Sequence, residues 1–288
     1  MPETDSDRHG AAVHSEVSAA KPRAVLTRRT LASSDGVTLS VLVAAPGAGI
    51  EPARQVPPVV ALHGFASSAA SGWGRTGHLD TLTRAGRTVF ALDLRGHGES
   101  EKPHTVAAYT LGAVLGDIAA LVARIPLLAA GADAREMTDM TPSVTGVVDL
   151  IGYSLGSRLA WTAARQSVVP IRRLVLGGFD GRPLFDGVTA ERLDRLAASV
   201  AGNDRTALAA LVEGLAGTGA TADGEPPPEI PTLVVAGDRD PLASRAGQFA
   251  ARLPHGAFLT VPGRNHISTV PARDYRNRLV EFLSDPGR

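Results

Sequence analysis

Gly152-Tyr153-Ser154-Leu155-Gly156 stands between an apolar run (GVVDLIG) and a segment of helical character beginning at Leu155. Glycine-x-serine-x-glycine in a strand–turn–helix context makes a nucleophile elbow, in which a sharp turn strains the serine backbone and lifts its Oγ above the sheet. The flanking glycines allow strand and helix backbones to close in where side chains would clash. The Leu155 N–H falls at a helix N-terminus, where partial positive charge favours an oxyanion. A serine hydroxyl needs a base, and the base an orienting carboxylate. His266, in Pro262-Gly263-Arg264-Asn265-His266, follows the last candidate strand, at the end where loops of an open sheet surround the binding crevice. His255 precedes that strand and sits on the wrong side. Three aspartates compete as the acid. Asp240, in Gly237-Asp238-Arg239-Asp240-Pro241, is favoured because it lies a few residues past a strand end, where a loop can turn it toward His266. Asp238 is read as fixing that loop through backbone N–H groups, and Asp180, beyond Gly177-Gly178, is the rival.

Two further loops belong to the same end of the sheet. In His63-Gly64-Phe65 the glycine permits a tight path and the Phe65 N–H is a candidate second oxyanion donor. In Arg95-Gly96-His97-Gly98-Glu99-Ser100 the glycines suit a sharp loop. His63 and His97 are both read as structural. Neither stretch has the glycine pattern of a phosphate or dinucleotide cradle, and no metal-ligating pattern accompanies them, so neither a cofactor nor a metal site is expected.

Short β-branched runs alternating with Ala/Leu/Arg segments must position these groups, a pattern of strands separated by helices. The spacing predicts strands at 37–44, 59–63, 88–92, 147–151, 173–176, 232–236 and 257–261. Several are unbroken apolar runs, as parallel strands buried on both faces require. Asp35-Gly36 marks a turn into an early antiparallel strand. Helices are predicted at 77–85, 106–124, 155–166, 244–252 and 272–283, the last beginning beside Pro271. Its Tyr275, Leu279, Phe282 and Leu283 form a core stripe. Residues 1–24 read as a disordered tail, 25–179 and 231–288 as an α/β core, and 180–230 as a small helical cap ending at Pro226-Pro227-Pro228. The connection from Pro126 to Gly146 is longer than such units need.

The chain has 288 residues and 29 basic against 29 acidic side chains, so the basic excess of a nucleic-acid or anionic-membrane binder is missing. With no cysteine, disulfides, thiolate catalysis and thiolate-bound metals are excluded. No unbroken apolar run reaches the roughly 18 residues of a membrane span, and no secretory signal precedes Glu16. The expectation is a cytoplasmic protein of unknown oligomeric state that meets a small molecule, not a nucleic acid.

HGF at 63–65, DLRGHGES at 93–100, GYSLG at 152–156, GDRD at 237–240 and NH at 265–266 together resemble the α/β-hydrolase superfamily, covering most of residues 36–284. The resemblance implies a mostly parallel eight-stranded sheet flanked by helices, with a small helical cap. It implies Ser154 as nucleophile, Asp240 as acid, His266 as base, and the Phe65 and Leu155 N–H groups as the oxyanion hole. Serine at the elbow argues against dehalogenases and epoxide hydrolases, whose pattern has aspartate there. Ser157 departs from the family's frequent second glycine.

The reading is a cofactor-free serine hydrolase that cleaves carboxylic esters through an acyl-enzyme. Alternatives on the same triad are perhydrolysis, as in the cofactor-free haloperoxidases that the chain also resembles, acyl transfer and C–C bond hydrolysis. An alternative of another class is a non-catalytic binding protein on a hydrolase scaffold. Candidate pocket walls are Phe65, Trp73, Tyr153, Leu155, Phe179 and Phe185, with Leu193 and Leu211 from the cap.

Overall fold

Eight strands form one sheet because the apolar runs are flanked by turn residues and too short to be helices. The computed structural model describes residues 24–53, 56–131, 146–183, 185, 189–198, 202–218 and 226–285. The expected tail up to residue 23 and positions 132–145 of the long connection lie outside them. The strands are β1 (Val25–Ala32), β2 (Thr38–Ala45), β3 (Val59–Leu62), β4 (Val89–Asp93), β5 (Val148–Tyr153), β6 (Ile171–Gly177), β7 (Thr232–Gly237) and β8 (Gly256–Val261). Their spatial order is β1-β2-β4-β3-β5-β6-β7-β8. β2 pairs antiparallel with both β1 and β4, and every other pairing is parallel.

The helices are α1 (His78–Arg84), α2 (Leu111–Ala129), α3 (Leu155–Arg165), α4 (Ala190–Ala198), α5 (Arg205–Leu215), α6 (Ala246–Ala251) and α7 (Arg273–Ser284). Apolar side chains of α1 and α7 (Leu79, Leu82, Leu279, Leu283) pack with one set of sheet residues. Those of α2, α3 and α6 pack with the alternating set, including Val60, Leu62, Leu150 and Leu174. The alternation along each strand makes both faces apolar. α4 and α5 lie between β6 and β7 in the chain.

Three expectations need correction. β1 was missing from the predicted strands: its sequence VLTRRTLA places four polar residues between two apolar pairs and sits at the sheet edge, with Val25 and Leu26 about half exposed. The predicted helix at 106–124 is a 3-10 turn (Val106–Tyr109) followed by α2, which continues through Pro126 to Ala129. Pro126 has no N–H to give the Val122 carbonyl, so α2 forgoes that one helical bond in its last turns. Pro271 precedes the Ala272 N-cap of α7 and is not in its first turn. α2 is long and apolar enough to cross a membrane by composition, yet half of that window is buried in this fold.

Candidate active site

The elbow is built at the junction of β5 and α3. Ser154 has φ 52° and ψ −111°, a conformation costly for a residue with a Cβ. The cost is met by surrounding bonds: the Ser154 N–H donates to the Gly177 carbonyl at 2.8 Å, and its own carbonyl accepts from Arg158 N–H at 3.1 Å. Ser157, the departure from the family pattern, donates its hydroxyl to the same Gly177 carbonyl at 2.8 Å and so ties α3 to β6. The flanking glycines are sterically required. A Cβ at Gly156 would lie 2.0 Å from the Leu62 carbonyl oxygen, and one at Gly152 would lie 2.4 Å from that of Gly156.

His266 and Asp240 meet across the loops that follow β8 and β7. His266 Nδ1 lies 2.8 Å from Asp240 Oδ2, with the Asp240 side chain fully buried and that of His266 15% exposed. The other carboxylate oxygen accepts from Leu242 N–H at 2.9 Å, which fixes its plane. A carboxylate on Nδ1 sets the tautomer with Nε2 unprotonated. Neither Nε2 nor the Ser154 hydroxyl has a hydrogen-bond partner among the described residues. Two features outside the predicted triad hold the imidazole. Tyr153 donates its hydroxyl to the His266 carbonyl, and its ring lies 5.4 Å from the imidazole. Gly178, at φ 61°, passes so close that a Cβ there would lie 2.8 Å from His266 Cε1.

The rival acids are placed elsewhere. Asp180 is buried but bound to Arg182 Nε at 3.0 Å. Asp238 is exposed, its side chain without a hydrogen bond among the described residues, so it does not fix the loop as expected; the loop is held by the backbone, Asp238 N–H to Val261 O and Arg239 N–H to Arg264 O. His255 is exposed beside Glu229.

The His63-Gly64-Phe65 turn abuts the elbow, a Cβ at Gly64 falling 3.5 Å from Ser154 Cβ. His63 accepts Leu94 N–H at Nε2 (3.1 Å), so its Nδ1–H donates to Gly64 O (2.8 Å). His97 Nε2 accepts Ala66 N–H at 3.1 Å. Both rings are fully buried, and burial lowers both pKa values, that of His97 to about 3, keeping them neutral acceptors. Because Gly64 O and Phe65 N–H share one peptide plane, His63 also sets the direction of the Phe65 N–H. The loop carrying His97 is held by Asp93, which accepts Ala69 N–H at 2.7 Å and Glu99 N–H at 3.1 Å, and by buried Arg95, paired with Asp117 and Asp35. The Leu155 N–H opens α3, where helix donors have no intrahelical partner.

The expected pocket walls divide. Phe185 is half-buried and packs edge-on against Phe65 at 5.3 Å. Trp73 is not a wall: the π turn Ala70–Gly74 tucks it, fully buried, against His78 in the core beside α1 and α7. Phe179 is also core, because the turn at Gly178 sends it between Trp161 and Phe249. Tyr153 braces the His266 loop, and Leu155 and Leu211 are buried. The Leu193 side chain lies outside the described residues. A concavity of about 540 Å³ at the Asp240 loop is lined by Asp238, Arg239, Asp240, Gln248 and Phe258, not by Ser154 or His266. Among the described residues no group of three or more His, Asp or Glu side chains is placed to hold a metal ion.

A strained serine at a strand–helix junction, together with a histidine paired to a buried aspartate from the later loops of the same sheet, defines the α/β-hydrolase class. The chain belongs to that family: the model of the alpha/beta hydrolase fold matches residues 57–211. It is 24% identical over 231 residues to the Rattus norvegicus protein named "Putative protein-lysine deacylase ABHD14B", covering 79% of this chain and 83% of that one. Among solved structures it resembles an esterase from Thermogutta terrifontis, with TM-score 0.69 and 20% identity over 91% of this chain and 100% of the other. An enol-lactonase from Burkholderia xenovorans LB400 gives TM-score 0.65 and 19% identity, over 89% and 100% of the two chains. An epoxide hydrolase from Vigna radiata gives 0.64 and 17%, over 90% and 97%. The chain is therefore a hydrolase of this family.

Proposed function

We propose that this hydrolase cleaves carboxylic esters through an acyl-enzyme on Ser154, with His266 as base and Asp240 as its orienting acid. The observation that carries the reading is the 2.8 Å contact between His266 Nδ1 and a fully buried Asp240 carboxylate, which leaves Nε2 as the proton acceptor. His266 Nε2 takes the Ser154 Oγ proton as Oγ bonds the acyl carbon, and the carbonyl oxygen becomes an oxyanion facing the Phe65 and Leu155 N–H groups. The proton passes to the leaving alkoxide, the C–O bond breaks, and a water deprotonated by His266 releases the acid from Ser154. Asp240 stabilises the imidazolium without taking its proton. The Phe65–Phe185 pair supports an apolar acyl group, and the α4–α5 segment acts as the cap above the Phe65 turn.

The test is labelling by a fluorophosphonate probe, followed by hydrolysis of short p-nitrophenyl esters by wild type and Ser154→Ala. Labelling at Ser154 and loss of hydrolysis in the variant support the reading; a folded wild-type protein that takes no label overturns it. Nε-acyl-lysine peptides belong in the same assay because of the named deacylase relative. Turnover of the peptides in preference to the esters moves the reaction from esters to amides on the same serine.

A further inference from the structure

Three successive peptide planes carry the chain through the Phe65 turn, and each is gripped by a different side chain. The plane of Gly64 O and Phe65 N–H is set by His63, and that of Phe65 O and Ala66 N–H by His97. The third contains the Ala66 carbonyl, which accepts from Asn203 Nδ2 at 3.2 Å. The same nitrogen donates to the Ala197 carbonyl, at the end of α4, also at 3.2 Å. Two carbonyl acceptors demand an NH₂ there, which fixes the orientation of the amide.

Ala66 has φ 55°, a left-handed conformation that a residue with a Cβ adopts only at an energetic cost. A turn held this way relaxes if one restraint goes, and His63 and His97 restrain only its first two planes. The third restraint comes from the segment between β6 and β7. Ala66, Ala197 and Leu208 form a small apolar cluster there, with Phe65 and Leu196 packed against it. The neighbouring Asp204 caps α5 through Ala207 N–H at 3.0 Å and takes His104 Nε2 at 2.8 Å, an exposed contact that ties the joint beside Asn203 to the loop carrying His104.

The geometry points to Asn203 as a positioning residue: it holds the Phe65–Ala66 turn in its left-handed form and thereby keeps the Phe65 N–H aimed at the oxyanion. This rests on the esterase reading above and adds to it that the cap segment takes part in building the oxyanion hole. Deleting an oxyanion donor costs about 10²–10³ in rate; a donor left in place but misaimed loses less.

The test compares wild type, Asn203→Ala, Asn203→Asp, Ala66→Gly and the Asn203→Ala/Ala66→Gly double variant. Asn203→Ala is expected to lower kcat by about tenfold with KM within about twofold, because the oxyanion forms only after binding. Asn203→Asp, isosteric but unable to donate, loses at least as much. The loss shrinks several-fold in the Ala66→Gly background, where the left-handed turn no longer needs forcing. Amide hydrogen exchange of the 63–69 segment, measured in Ser154→Ala protein, accelerates at Ala66 when Asn203 is replaced. An unchanged kcat in Asn203→Ala, an equal loss in both backgrounds, or unchanged exchange overturns the inference. A wild-type protein that neither labels nor hydrolyses esters overturns the esterase reading instead, and the exchange arm then decides by itself whether Asn203 holds the turn.

Discussion

Asp180 lies three residues beyond the end of β6, and Asp240 three beyond the end of β7. Both strands end in glycine, both carboxylates are fully buried, and both loops open at the same end of the sheet. What separates them is the residue two positions on. Asp180 meets Arg182, which takes both its oxygens, while Asp240 meets only the Leu242 N–H and keeps one oxygen for a ring 26 residues later. A carboxylate already neutralised by a local guanidinium has little left to orient an imidazole. Position at a strand end is thus insufficient to define an acid; the local partner decides.

Asp240→Asn is the sharpest way to test this contrast. It should lower kcat/KM for a p-nitrophenyl ester by about 10³–10⁴, since the amide favours the wrong imidazole tautomer. Asp180→Asn in the same assay should stay within about threefold, and a reversed ranking would break the comparison. Gly178→Ala extends the β6 side. Its methyl would meet His266 Cε1 in a backbone at φ 61°, so a loss of roughly 10- to 100-fold in kcat is expected from displaced geometry. Full activity in that variant would mean that the imidazole has room to move.

A smaller effect belongs to the buried histidines. Burial lowers His78 and His97 from 6.5 to about 3, so below pH 6.5 the unfolded chain binds protons that the native chain refuses. Stability therefore falls as pH drops through the window from about 6.5 to about 3, by roughly 2 kcal/mol per histidine between pH 7 and 5. Chemical denaturation at both pH values checks this, and His78→Phe should flatten the slope by one histidine's share. A slope unaltered by that change would place the acid sensitivity elsewhere. The smallest effect expected is on folding in Asp180→Asn, a loss of about 1 kcal/mol as a charged hydrogen bond becomes a neutral one.

Much of the sheet was legible because β3 and most of β7 are unbroken apolar runs, and β5 is one but for Asp149, so burial on both faces shows directly in composition. β1 was not, since an edge strand exposing Val25 and Leu26 carries two arginines and no such run. The elbow was legible from its glycines, and Arg182 beside Asp180 was a local signal that separates the two aspartates. Trp73 and Phe179 were misread as pocket walls because an aromatic near a strand end does not declare which way its turn faces. Asn203 carried no signal: its partner at Ala66 lies 137 positions away and is a backbone carbonyl.

β5, which ends at Tyr153 just before Ser154, carries Asp149 as its second residue, and that buried acid is clasped by Arg87 and Arg172. The same two arginines donate to the Leu283 carbonyl, and Arg172 and Arg173 reach that of Asp285. The last turn of α7 is thus a rivet at the foot of β5. Shortening the chain to Leu279 would strand these guanidinium groups and loosen β5 from below, so any redesign of the sheet should leave the final turn of α7 untouched.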